Sequence, residues 1–150
     1  MISLKSINEF LSVKEMAIAG ASRDKKKFGG MVFQELKERG YQLYPVNPNA
    51  ETIDEIQCYK TVSDLPTSTT NLYIVTPKVN TAQIIKEAIA KGIRNIWIQQ
   101  QSDSSEALEL AKANGINLIY GECIVMFISP KQSFHKIHRF FRKLFGRMPH

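Results

Sequence analysis

Short apolar runs alternate with amphipathic stretches along this chain. The runs have the length of buried strands, and we predict strands at 16–19, 41–46, 72–75, 95–98 and 116–120. Between these runs apolar residues recur at helical spacing, and the predicted helices end before Gly40, Gly92 and Gly115, because glycine readily adopts the left-handed conformation that follows a helix. Strands that alternate with helices of this length form βαβ units. We therefore predict an α/β fold with a doubly wound parallel sheet and helices on both faces.

Polar residues mark where several of these helices should begin. Residues 6–9 have the pattern of a capping box that opens a short helix ahead of the first strand. Asn80 and Asp103 stand where they would cap the helices that end before Gly92 and Gly115. We expect the first helix to cover one side of the sheet with its apolar face.

The strand at 16–19 leads into a glycine-rich turn. Gly20 permits a sharp turn and the close approach of another backbone, and a helical pattern starts at Gly29. A strand, a glycine turn and a helix in that order place backbone N–H groups at a helix N-terminus, which favours anion binding. This turn is therefore the first candidate for a phosphate site.

Residues that directly follow the predicted strands should line a common site. In a doubly wound sheet, ligands bind outside the carboxyl ends of the strands, where the strand order reverses. Small, polar and turn-forming residues gather at these positions. They are Gly20, Ala21, Ser22, Asn47, Pro48, Asn49, Thr76, Pro77, Lys78, Gln99, Gln100, Gln101, Gly121, Glu122 and Cys123.

The composition is that of one ordinary globular domain. The 150 residues are 43% hydrophobic and 23% charged, and neither a membrane-spanning apolar stretch nor a secretory signal is expected. The two cysteines, Cys58 and Cys123, predict buried free thiols and a reducing cytoplasm. His135 and His138 have no third ligand in register, and no catalytic set stands out. We therefore predict neither a metal site nor catalytic residues.

The excess positive charge is confined to the C-terminal segment. Residues 131–150 hold six of the 20 basic residues and no acidic ones, so residues 1–130 carry 14 basic and 14 acidic residues. Apolar residues recur at helical spacing in this segment, which predicts a basic amphipathic helix at 129–150 after a domain at 1–128. We expect its apolar face to fold back over the sheet or to form a homodimer. Binding to nucleic acid or to an anionic membrane is the less favoured alternative.

The turn differs from the usual nicotinamide-dinucleotide fingerprint. That fingerprint is Gly-x-Gly-x-x-Gly with an acidic residue after the second strand. Here an insertion separates Gly20 from Gly29, and the first carboxylate after the second strand is that of Glu51. The insertion is basic, and this suits a ligand that carries a phosphate in addition to a pyrophosphate. Its basic residues are Arg23, Lys25, Lys26 and Lys27.

Several segments together resemble the CoA-binding domain family, whose members are similar to the N-terminal domain of the succinyl-CoA synthetase alpha subunit. The resemblance covers residues 14–128. The most specific part is the combination of Gly-Ala-Ser at 20–22 with Pro-Val-Asn-Pro-Asn at 45–49. The Gly-Tyr at 40–41, the Cys-Tyr at 58–59 and the Asp-Leu-Pro at 64–66 follow the family's order. The resemblance implies a three-layer Rossmann-like fold.

The resemblance also implies how CoA would lie. The pyrophosphate would sit on the backbone of residues 21–23, with the Ser22 hydroxyl donating. One of Lys25, Lys26 and Lys27 would neutralise the 3′-phosphate, and Asn47 and Pro48 would flank the adenine and ribose. The pantetheine arm would run past residues 76–78 toward Gln99 and Cys123.

We therefore expect a protein that binds CoA or an acyl-CoA and acts as a sensor, carrier or regulatory module without catalysing a reaction. Ligase chemistry does not follow from the resemblance, because the residues that carry it belong to a further domain. An NADP-linked oxidoreductase is the enzymatic alternative, since the basic insertion suits a 2′-phosphate. An adaptor that works through residues 131–150 is the alternative among interaction proteins.

Overall fold

The computed structural model describes residues 2–128, which form a mostly parallel α/β structure. Its main sheet has five strands, which are β1 (Glu15–Ala19), β2 (Gln42–Val46), β5 (Asn71–Ile74), β6 (Asn95–Gln99) and β7 (Asn117–Glu122). They lie in the order β2-β1-β5-β6-β7, and all neighbouring pairs are parallel. The sheet order reverses direction between β1 and β5, which confirms the predicted doubly wound arrangement.

Helices cover both faces of this sheet. They are α1 (Leu4–Ser12), α2 (Phe28–Glu38), α3 (Lys78–Lys91), α4 (Ser105–Ala113) and α5 (Val125–Ile128). Because side chains alternate along a strand, Met16 and Ile18 pack with residues of α1, α2 and α5. Ala17 and Ala19 pack on the other face with residues of α3 and α4. The three-layer Rossmann-like fold is thereby confirmed, and Trp97 is fully buried.

The predicted helix starts are wrong by a few residues. Helix α1 is capped by Ser3, whose Oγ accepts from the Ser6 backbone N–H at 3.1 Å, so residues 6–9 lie inside the helix. The N-cap of α3 is Pro77, and that of α4 is Ser104, whose Oγ accepts from Ala107 N at 3.2 Å. Asn80 and Asp103 are therefore not the caps. The predicted C-terminal ends of the helices are confirmed; for example, Gly92 has φ +84° and ends α3.

A small hairpin that the sequence pattern did not predict follows β2. It consists of β3 (Thr52–Ile53) and β4 (Ile56–Gln57), and its turn residues Asp54 and Glu55 have φ +50° and +66°. After the hairpin the chain returns to the end of β2, where Tyr59 forms a parallel bridge with Val46. This return brings residues 60–62 to the carboxyl edge of the sheet.

No helix within residues 2–128 is both long enough and apolar enough to cross a membrane. The amphipathic helix and the homodimer predicted for 129–150 lie outside the described residues and stay predictions.

Candidate functional site

The turn after β1 and the start of α2 pack so tightly that only glycine fits at positions 20, 29 and 30. Gly20 has φ +98°, and a Cβ there would lie 2.8 Å from the carbonyl carbon and oxygen of Val75. A Cβ on Gly29 would overlap the carbonyl oxygen of Gly20. The start of α2 therefore lies directly against the turn, with backbone packed on backbone. This is the strand–turn–helix arrangement that presents N–H groups to an anion.

A cleft of about 720 Å³ opens beside this turn, at the carboxyl ends of β2, β1 and β5. It lies where the strand order reverses, as the fold requires. The structure brings ten of the predicted site residues to its walls. They are Gly20, Ala21, Ser22, Lys27, Gly29, Asn47, Pro48, Asn49, Thr76 and Pro77.

Ten predicted residues do not line the cleft. Seven of them are exposed, namely Arg23, Lys25, Lys26, Lys78, Gln100, Gln101 and Gly121, and Glu122 is half-buried. The other two, Gln99 and Cys123, are buried elsewhere, 4% and 7% exposed. Oε1 of Gln99 accepts hydrogen bonds from the Tyr73 hydroxyl at 2.8 Å and from the Ile124 backbone N–H at 3.1 Å. Gln99 thus holds β6 to the neighbouring strand and to the segment after β7, and the cleft does not extend to it.

The structure adds cleft residues that the sequence pattern did not single out. One group comes from α3, where polar and apolar residues recur on one helical face; it comprises Val79, Asn80, Gln83, Ile84 and Glu87. Their helical spacing was a usable signal. The second group follows the hairpin and comprises Lys60, Thr61 and Val62. Its position depends on the bridge between Val46 and Tyr59, a long-range contact with no local signal.

The charges of the cleft are unevenly placed. Among the described lining residues the cations are Lys27 and Lys60, and the anion is Glu87. Nζ of Lys60 donates to the carbonyl oxygen of Pro48 at 3.4 Å, which holds this exposed side chain at the rim. Lys27 is the N-cap residue of α2 and makes no side-chain capping bond. The end of the cleft formed by the turn and these two lysines is therefore suited to an anion.

Two polar side chains hold the loops of the cleft in shape. Asn47 Nδ2 donates to the carbonyl oxygen of Ala21 at 2.9 Å, which joins the end of β2 to the turn after β1. Ser22 Oγ accepts from the Asp24 backbone N–H at 3.1 Å. A hydroxyl has one hydrogen and two lone pairs, so Ser22 still has its hydrogen to donate to a ligand.

Neither cysteine lines the cleft. Cys58 is 8% exposed and its Sγ contacts the carbonyl oxygens of Asn47 and Tyr59, both at 3.7 Å. Burial raises the pKa of the Cys58 thiol above its ordinary value, so the thiolate is disfavoured. Cys58 and Cys123 are buried and free, as predicted.

Comparison with known protein families identifies the family of this chain. A family model described as "CoA binding domain" matches residues 14–129, which is most of the chain. The chain belongs to the CoA-binding domain family. All the cleft-lining residues fall within the matched range.

Two kinds of relative share this domain. The alpha subunit of acetate–CoA ligase (ADP-forming) II from Pyrococcus furiosus is 30% identical over 129 residues, which cover 79% of this chain and 28% of that subunit. The uncharacterised protein YneT of Bacillus subtilis is 30% identical over 114 residues, covering 74% of this chain and 82% of YneT. The chain spans less than a third of the ligases' length.

A solved structure gives the same answer for the fold. A hypothetical protein from Pyrococcus horikoshii is similar with a TM-score of 0.77 and 31% sequence identity. The match covers 83% of this chain and 89% of that protein. Sequences similar to this chain therefore occur both within ligases and as chains of about this size.

Proposed function

We propose that this protein binds CoA or an acyl-CoA in the cleft and acts as a sensor, carrier or regulatory module rather than as a catalyst. The observation that carries the proposal is the packing of Gly20 and Gly29, which brings the turn and the start of α2 to one wall of the cleft. Family membership supports it, and so do the ligase names of several relatives.

The residues of the cleft fit the parts of CoA. The turn at 20–22 would hold the pyrophosphate, with the Ser22 hydroxyl as a donor. Lys27 and Lys60 would neutralise the 3′-phosphate. We assign this role to Lys60 in place of Lys25 and Lys26, because those two lysines do not line the cleft. Asn47 and Pro48 would face the ribose and adenine. When bound, CoA would supply a thiol or a thioester, and the protein would control its availability.

The proposal is tested by calorimetry of the purified protein with CoA, dephospho-CoA and NADP. Each ligand that binds should also raise the unfolding temperature by mass action. We expect CoA to bind more tightly than dephospho-CoA, which lacks the 3′-phosphate. Binding of NADP without binding of CoA would overturn the proposal and favour the oxidoreductase.

A pair of lysine variants tests the assignment of the 3′-phosphate. Lys60→Ala should weaken CoA about 2- to 5-fold, the range for an exposed charge pair, and should leave dephospho-CoA nearly unchanged. Lys91→Ala is the matched control, because Lys91 Nζ also donates to a backbone carbonyl, that of Ser63 at 2.8 Å, but does not line the cleft. Equal effects of the two variants would refute the role of Lys60.

The absence of catalysis is a separate part of the proposal. Acetyl-CoA incubated with the protein, alone and with acetate, ADP and phosphate, should be recovered unchanged by mass spectrometry. Turnover that is lost on Lys60→Ala would show an enzyme instead.

A further inference from the structure

Three hydroxyl and carbonyl groups form a short chain at one wall of the cleft. Thr76, which lines the cleft just after β5, has its Oγ1 3.1 Å from Oγ1 of Thr81. Thr81 lies in the first turns of α3 and is fully buried. Its Oγ1 donates to the backbone carbonyl oxygen of Ser102, in the loop after β6, at 2.6 Å.

The direction of each hydrogen bond in this chain follows from counting hydrogens. The carbonyl of Ser102 can only accept, so the hydrogen of the Thr81 hydroxyl is used there. Thr81 therefore accepts in its bond with Thr76, and Thr76 donates. With its hydrogen used in this way, the Thr76 oxygen has only lone pairs left for a ligand.

Neighbouring groups of the cleft wall consequently differ in hydrogen-bonding character. The Ser22 hydroxyl, Lys27 and Lys60 donate, which suits phosphate oxygens. At Thr76 the protein offers an acceptor. A phosphate, carboxylate or carbonyl oxygen at this position would place acceptor against acceptor, whereas an N–H group would be bound.

We infer that Thr76 is a specificity-determining acceptor for an N–H group of the ligand, and that Thr81 is the positioning residue that removes the hydrogen of Thr76 from the cleft. The inference rests on the proposed function, because it reads the cleft as the CoA site. CoA has two sources of such a group, the amides of the pantetheine arm and the amino group of adenine. The shared chemistry is an N–H donor beside an anionic phosphate ester.

The test uses calorimetry with CoA and with adenosine 3′,5′-diphosphate, which keeps the adenine but lacks the pantetheine arm. Thr76→Val, which is nearly isosteric, should weaken CoA about 3- to 10-fold, the loss expected for one neutral hydrogen bond. If a pantetheine amide is the donor, adenosine 3′,5′-diphosphate is unaffected. If the adenine amino group is the donor, both ligands weaken equally. Unchanged affinity for CoA overturns the inference.

The positioning role of Thr81 has its own variants. Thr81→Val should weaken the same ligand or ligands as Thr76→Val, and Thr81→Ser, which keeps the hydroxyl, should restore wild-type affinity. A general loss of structure would instead lower the unfolding temperature of both Thr81 variants, which Thr76→Val at a half-buried position should not do. If Thr81→Val leaves CoA affinity unchanged, the positioning role is refuted. If the wild type binds no CoA, the proposed function fails and this inference fails with it.

Discussion

The side-chain amide of Asn47 donates to the backbone carbonyl oxygen of Ala21, with 2.9 Å between the two atoms. The Oδ1 of the same side chain accepts from the Asn49 backbone N–H at 2.8 Å. The Nδ2 bond therefore joins the loop after β2 to the turn after β1, and the Oδ1 bond fixes the shape of the loop itself. Asn47 lines the cleft, and its main contribution is to hold two of the cleft's walls together.

Replacing Asn47 should separate these walls. In Asn47→Asp the bond from Asn49 can remain, but the donor to Ala21 is replaced by an oxygen that repels the carbonyl. We expect CoA affinity to fall about 10- to 100-fold, because the loss of a buried partner costs roughly 1–3 kcal/mol. Asn49→Asp adds the same charge to the cleft without breaking this bond and should cost about 2- to 5-fold. Equal losses in calorimetry would show that charge alone matters.

The contact between Gly29 and Gly20 leads to a second prediction. Gly29→Ala places a methyl group against the Gly20 carbonyl, and relief of such overpacking costs about 1–3 kcal/mol. Because the relief must move the turn, CoA binding should be lost as well. Gly40→Ala is the matched control, since Gly40 has φ +85° but open space around it. It should lose about 1 kcal/mol of stability in urea unfolding and keep its CoA affinity. Retained binding in Gly29→Ala would contradict the proposed turn site.

The sequence predicted those features that depend on neighbours along the chain. Apolar runs located all five strands of the main sheet, and glycines located the C-terminal ends of α2, α3 and α4. The turn at Gly20 was recognisable because its strand, glycine and helix are consecutive. These signals are local, so one sequence is enough to identify them.

Features that depend on strand order were predicted less well. Gln99 follows the general rule for residues at strand ends, but β6 lies beyond β5, one strand away from the reversal between β1 and β5. Lys60 reaches the cleft only because a hairpin turns at Asp54 and Glu55, and residues other than glycine seldom adopt positive φ. Both outcomes are set by contacts between distant residues, which spacing in the sequence does not reveal.

The hairpin turn gives a prediction about pH. The Gln34 side chain donates to the Asp54 carboxylate, Lys37 Nζ lies 3.6 Å from it, and these contacts lower the pKa of Asp54 below its ordinary value. A carboxyl with a lowered folded pKa adds stability above its unfolded pKa, near 4, and this stability is lost as pH falls through the folded pKa. Asp54→Asn tolerates the same positive φ. It should reduce stability by less than about 1 kcal/mol at pH 7.

Urea unfolding at pH 7 and pH 3 measures this effect. The difference between wild type and Asp54→Asn should be present at pH 7 and shrink at pH 3. Gln34→Leu, which removes the main donor, should flatten the pH dependence in the same way. A difference that is equal at both pH values would show that the carboxylate charge is not involved.

The buried pair of Tyr73 and Gln99 separates a structural role from a ligand-binding one. Burial raises the pKa of Tyr73 well above its ordinary value, so its hydroxyl stays protonated and donates to Gln99. Gln99→Leu leaves two buried donors, the Tyr73 hydroxyl and the Ile124 N–H, without a partner. At about 1–3 kcal/mol for each donor, we expect a loss of at least about 2 kcal/mol in urea unfolding. Tyr73→Phe leaves the Ile124 bond intact and should cost only about 0.5–1.5 kcal/mol.

Binding by the same two variants decides whether Gln99 belongs to the site. Because Gln99 does not line the cleft, both variants should bind CoA within about 2-fold of wild type at a temperature where they are folded. The double variant should lose less stability than the sum of the single ones, since Phe at position 73 no longer needs an acceptor. If Gln99→Leu weakens CoA binding much more than Tyr73→Phe while both variants remain folded, the ligand reaches β6 and the binding site extends beyond the cleft.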